Sequence, residues 1–198
     1  MPKKVIAFLA EGFEEVEAVT PIDYLRRAGI EVTVTAVNKG PTVKGSHGIQ
    51  VVADASLDDL SLKGKLDTSF WDGVVVPGGL PGADNLAASK PVGDFLKGMA
   101  EAGKIVAAIC ASPARVLAPL GLLAGKKFTC YPGEEKNVSA LHLAGAEWKE
   151  DRVVVDGNLV TSRGAGTAGE FACAIIGKLV SGEEAKKLAD KVLLGNRD

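Results

Sequence analysis

Cys110 makes the strongest claim to chemistry in this chain. It stands between the apolar run Ile105–Ile109 and the triplet Ala111, Ser112 and Pro113, and Pro113 suits the first position of a helix. The segment reads strand, nucleophile, helix. A thiol at a helix N-terminus feels the positive end of the macrodipole and nearby unpaired amides, which stabilise its thiolate. A pKa drop of about three units, worth about 4 kcal/mol, converts a thiol that is a few per cent ionised at neutral pH into one mostly ionised. The same position equally suits a small core residue that ends a buried strand. Cys130, at the end of the apolar segment Lys127–Tyr131, and Cys173, within Phe171–Ile176, both read as packing.

Two further features fall near the same edge. Gly78 and Gly79 follow the segment Gly73–Pro77, and their amides could stabilise an oxyanion beside Cys110. The plainer reading is a tight turn between Pro77 and Pro81. After the first apolar segment come Glu11, Glu14, Glu15 and Glu17. A carboxylate would repel a thiolate unless burial kept it protonated and able to donate a hydrogen bond to sulfur. Burial could raise the Glu17 pKa enough for that, but among Glu14, Glu15 and Glu17 a solvated helix start is the ordinary reading, and singling out one needs further evidence.

The elements that must position these residues alternate. Lys4–Leu9, Glu31–Val37, Gly73–Pro77, Ile105–Ile109 and Lys127–Tyr131 read as strands, several of them β-branched as buried parallel strands are. Helical windows at about 15–28, 91–102 and 113–120 end at Gly29, Gly103 and Gly121. Pro21 either kinks the first helix or opens it with Thr20 as cap. Gly48–Ala53 stands apart from the alternation, and Val153–Thr161 reads as a hairpin around Asp156, Gly157 and Asn158. Thr167 with Glu170, and Ser181 with Glu184, have capping-box spacing for two closing helices. The pattern predicts one α/β domain over residues 1–198, a mainly parallel sheet with a small hairpin at its edge, and ligands at the carboxyl ends of the strands.

Composition excludes several classes. Lys plus Arg total 23 against 25 for Asp plus Glu, a net charge of −2 with pI near 5.8, so nothing draws the chain to nucleic acid. The longest apolar run, Ile105–Ala111, is too short to span a bilayer, and Val5–Ala10 is too short for a secretory leader, which predicts a cytoplasmic protein. Three widely spaced cysteines and only His47 and His142 give no disulfide framework and no metal-ligand spacing. No Walker pattern is present, and no nucleotide cofactor is expected.

Ala107–Pro113, together with Pro77, Gly78 and Gly79, resembles the nucleophile elbow and glycine pair of the ThiJ/PfpI superfamily. Glu11–Thr20, Arg26–Gly29, Asp54–Leu57 and Thr161–Thr167 resemble the branch that holds the Parkinson-disease-associated protein and bacterial YajL. The resemblance implies a flavodoxin-like three-layer sandwich and a homodimer. It also implies that Cys110 is the reactive, oxidisable thiol, Glu17 its protonated partner, and Gly79 and Ala111 the backbone donors. Three activities come with it: glyoxalase action on methylglyoxal to give lactate, protein deglycation, and redox-regulated chaperoning without turnover. All are cofactor-independent.

The chain departs from that pattern at several positions. Tyr131 stands where human-like members carry a histidine near the cysteine, so a Cys–His pair requires His47 or His142 to approach. That predicts weak action on aldehydes. Ala111 replaces the histidine of protease-like members, which argues against proteolysis, and no histidine after His142 could serve an amidotransferase. His47 occupies a loop where the resemblance suggests an arginine, so positive charge there depends on pH.

Overall fold

The computed structural model describes residues 1–37, 40–139 and 142–195. Its strands are β1 (Lys4–Leu9), β2 (Glu31–Ala36), β3 (Thr42–Lys44), β4 (Gln50–Val52), β5 (Ala55–Ser56), β6 (Gly73–Val76), β7 (Ile105–Ile109), β8 (Lys127–Phe128), β9 (Glu147–Trp148), β10 (Val153–Asp156) and β11 (Leu159–Ser162). The helices are α1 (Glu15–Arg27), α2 (Leu57–Leu62), α3 (Gly82–Ala88), α4 (Lys90–Glu101), α5 (Ala168–Leu179) and α6 (Gly182–Lys191).

Seven strands form the central sheet in the order β10-β11-β7-β6-β1-β2-β5. Every pairing is parallel except β10 with β11, where Asp156 faces Leu159 across the expected turn. Successive residues of β1, and Ala10 just beyond it, feed opposite cores: Ile6, Phe8 and Ala10 join one cluster, Val5, Ala7 and Leu9 the other. The first cluster takes in Leu57 and Leu60 of α2, Leu86 of α3 and Phe95 of α4; the second takes in Ile22 of α1, Phe171 of α5 and Leu188 of α6. Helices therefore cover both faces, and the anticipated three-layer sandwich with an antiparallel edge hairpin is observed. Phe8 and Phe95 meet edge to face, centroids 5.4 Å apart.

Helix α1 runs unbroken through Pro21, so the alternative of a helix starting there is corrected. A proline in a helix interior costs about 3 kcal/mol. Burial of Ile22 and Leu25 on the same face returns about 1.5–3 kcal/mol each and outweighs it. Glu14 caps the helix by accepting the amide of Glu17 at 2.6 Å, which sets Glu17 in the first turn.

Other boundaries also differ. The strand expected at Lys127–Tyr131 is only Lys127–Phe128, paired with β9 outside the central sheet. Beyond it the Thr129 amide goes to Thr161 Oγ1 and the Tyr131 amide to the Cys110 carbonyl, so the segment crosses the sheet edge instead of extending a ladder. The helix expected at 113–120 is a wide turn over Pro113–Leu117, with the Ala118 amide reaching back to the Pro113 carbonyl. Thr167 does not form a box with Glu170: its hydroxyl pairs with Ser162 Oγ at 2.6 Å, and Glu170 is drawn to Arg152. Ser181 caps α6 as expected. Gly48–Ala53 contains β4, hairpinned to β3.

Candidate active site

Parallel topology brings the ends of β1, β6 and β7 to one edge, and each contributes to a single cluster. Cys110 ends β7 in the left-handed region, φ +65°, a conformation that costs a non-glycine residue about 1–3 kcal/mol. Its surroundings hold it there: its amide donates to the Ser162 carbonyl at 2.9 Å and its carbonyl accepts from Tyr131 at 2.8 Å. Ser112 Oγ donates to the Pro77 carbonyl at 2.6 Å and ties this elbow to the loop after β6. A strained turn from strand to helix projects the nucleophile.

Glu17, 1% exposed, is hydrogen-bonded to the Cys110 thiol. Its Oε2 accepts the Gly78 amide at 3.0 Å, and the Ala165 backbone also bonds to it. Burial, reinforced by the charge of Glu14, raises its pKa to about 7 against the pull of Cys110 and these amides. The Cys110 thiol is also pushed up, first by burial and then by the charge of Glu17, while the amides of Ala111 and Gly79 act in the opposite direction. The lowering expected from the elbow alone is thus opposed. Protonation of Glu17 would remove the charge that contributes to this rise.

The glycines are steric necessities. A methyl on Gly78 would lie 2.7 Å from both Cys110 Cβ and Glu17 Oε2, so only glycine lets the acid and thiol meet. Gly79 has φ +87°, and a methyl there would sit 2.3 Å from the Glu14 amide nitrogen. Gly78 was expected as an oxyanion donor beside Gly79; its amide is instead committed to Glu17, leaving Gly79 and Ala111 on the sulfur.

Cys110 opens into a cavity of about 320 Å³ lined also by Glu14, Ser46, His47, Leu80, Tyr131 and Glu134. Both His47 and Tyr131 therefore reach the site, whereas His142 lines a neighbouring cavity beside Arg115. Cys130 is fully buried, with its thiol pushed up to about 12 by burial and by Glu135.

The contribution of Glu15 escaped the sequence reading, which treated it as part of a solvated helix start. Its side chain is 6% exposed and accepts from the His47 amide at 2.7 Å, with His47 Nδ1 2.9 Å away. Burial alone would raise its pKa; hydrogen bonds from the ring and amide of His47 and from the Ile49 amide bring it down to about 2. The hydrogen bond to Glu15 in turn raises that of His47. Glu14, Glu15 and His47 offer ligand atoms within 4.8 Å of one another, the one such group among the described residues. Glu15 is already occupied by the His47 ring and two amides, so the acid serves as the hydrogen-bond partner of that ring. Only the approach of residues 45–49 to α1 could have revealed this.

A family model described as the DJ-1/PfpI family matches residues 3–178. The Drosophila melanogaster protein dj-1beta is 40% identical over 195 residues, covering 98% of each chain. Protein DJ-1 homolog B of Arabidopsis thaliana is 40% identical over 192 residues, 97% of this chain; the chain spans 42% of that relative's length. The solved structure of oxidised Toxoplasma gondii DJ-1 superposes with a TM-score of 0.88 at 39% identity, covering 98% of this chain and 100% of that one. With a thiol at a strained strand end, a buried acid against it and a family match across most of its length, the chain belongs to the DJ-1/PfpI family.

Proposed function

We propose that this chain is a cysteine-dependent stress protein whose Cys110 attacks small reactive aldehydes, in the manner of a cofactor-independent glyoxalase or deglycase. The observation that carries the reading is the hydrogen bond between buried Glu17 and the Cys110 thiol, with the amides of Ala111 and Gly79 on the sulfur. Glu17 takes the thiol proton as sulfur attacks the aldehyde carbon. The carbonyl oxygen, polarised by the amides, then receives that proton and becomes the hydroxyl of a hemithioacetal. Methylglyoxal processed this way takes up one water and leaves as lactate. A glycated amine or thiol, itself a hemiaminal or hemithioacetal, offers the same carbon.

A second reading is favoured by the same amides. Peroxide converts the thiolate to a sulfenate with loss of water, and a second equivalent gives a sulfinate, whose oxygens find protonated Glu17 and the two amides as donors. The oxidised state of the Toxoplasma relative supports it. Cys110 would then report oxidative stress without turnover.

The reading includes a homodimer, supported by exposed Val16 and Val19 on α1 and Ile49 and Val52 near and on β4. A cytoplasmic setting suits three free thiols. Among the described residues no helix is long and apolar enough to cross a membrane.

Lactate measured after incubation with methylglyoxal, for wild type and Cys110→Ala, tests the proposal. Formation that disappears with the thiol upholds it; no formation in wild type removes the aldehyde reading and leaves the sensor or a chaperone.

A further inference from the structure

Tyr131 occupies the position of the family's histidine, and a phenol, with an ordinary pKa near 10, is a poor base at neutral pH. Yet isomerising a hemithioacetal to a thioester requires a group that removes a proton from carbon and returns it to the next carbon. His47 lines the Cys110 cavity. Its ring is held by a buried carboxylate: Glu15 Oε2 lies 2.9 Å from Nδ1, Glu15 Oε1 accepts the His47 amide at 2.7 Å and the Ile49 amide at 3.3 Å, and Ser46 Oγ donates to Oε2 at 3.3 Å. The cradle is tightly built, since a methyl on Gly45 would stand 2.3 Å from Glu15 Oε1. A carboxylate on Nδ1 makes that nitrogen the donor and leaves Nε2 as the acceptor of the neutral ring. Carboxylate, oriented imidazole and thiol are the elements of a nucleophilic triad, with imidazole and sulfur here meeting through the bound molecule.

We propose that His47, oriented by Glu15, is the proton-transfer group of the Cys110 cavity, replacing the histidine this chain lacks at 131. The inference rests on the aldehyde reading above. In the hemithioacetal of methylglyoxal, Nε2 takes the proton from the sulfur-bearing carbon. The released electron pair forms the carbon–carbon double bond, and the ketone oxygen gains a proton from water. Nε2 then returns its proton to the former ketone carbon while the other hydroxyl loses one to water, which leaves a thioester. Hydrolysis gives lactate and the free thiol. Glu15 is a positioning residue. The charged and titratable groups around the ring are Glu14 and Glu15 from the start of α1, Cys110 from the end of β7, and Tyr131 and Glu134 from the segment beyond β8.

The test measures lactate kinetics against pH for wild type, Cys110→Ala, His47→Gln and Glu15→Gln, with iodoacetamide alkylation of Cys110 as a parallel readout. His47→Gln should lower kcat about 100-fold and abolish the acid limb of the profile, with alkylation within twofold of wild type. Glu15→Gln should shift that limb to lower pH, because the carboxylate that raises the imidazole pKa is gone. Undiminished kcat in His47→Gln, while Cys110→Ala is inactive, overturns the inference and leaves the aldehyde reading standing. Parallel loss of kcat and alkylation overturns it too, since His47 would then merely hold the thiol in place. No lactate from wild type, or lactate that survives Cys110→Ala, sinks the aldehyde reading and the inference together.

Discussion

Glu17, in the first turn of α1, is hydrogen-bonded to Cys110, at the end of β7, across a gap that Gly78 keeps open by lacking a side chain. The two residues lie 93 positions apart in the sequence, and the charge of Glu17 raises the thiol pKa. Removing the charge and removing the donor should therefore have separable effects. Glu17→Gln keeps an N–H for the sulfur and removes the competing anion, whereas Glu17→Leu loses both. Thiolate absorbance titrations should place the Cys110 pKa lower in the glutamine variant than in the leucine variant. Equal values would mean that the acid does not donate to sulfur.

Stability should carry the same signature. The folded-state pKa of Glu17, about 7, lies above its ordinary 4.5, so the stability it contributes is complete below pH 4.5 and is lost as pH rises through 7. The loss approaches about 3 kcal/mol. Thermal melts should show Glu17→Gln gaining on wild type between pH 4.5 and 7, by several degrees in total. A constant difference across that window contradicts the buried proton.

Gly78→Ala should be costly out of proportion to one methyl group. Overpacking against Cys110 Cβ and Glu17 Oε2 is expected to lower stability by about 1–3 kcal/mol and to slow alkylation of Cys110. Gly166→Ala, whose methyl meets open space, is the control that should change neither.

Limiting iodoacetamide followed by peptide mass spectrometry should find Cys110 modified before Cys130 and Cys173. Cys110 opens into the cavity with the amides of Ala111 and Gly79 on its sulfur, whereas Cys130 is wholly buried. Labelling led by either of the others would remove the elbow's claim to reactivity.

Tyr131→His should raise lactate formation and, combined with His47→Gln, restore at least tenfold of what that variant loses, because residue 131 lines the same cavity. A double variant no better than His47→Gln alone would show that a base at 131 cannot reach the reacting carbon.

The sequence by itself determined the sandwich, the elbow and most of its partners. Alternating apolar runs and glycine-closed helical windows record local geometry and burial, and strand–Cys110–Pro113 is a local pattern that needs no distant contact. The family resemblance then selected Glu17 among three neighbouring acids. Where a residue's role depends on what folds against it, local pattern was silent. Lys127–Tyr131 looked like a strand because it is apolar, but its amides are claimed by Thr161 and Cys110. Gly78 looked like an oxyanion donor until Glu17 took its amide. Glu15 looked like its solvated neighbours, and only the packing of residues 45–49 on α1 buried it and set His47 against it at the cavity wall. A carboxylate's role is decided by the dielectric and donors around it, and those are supplied by chain segments 30 to 150 residues away in the sequence.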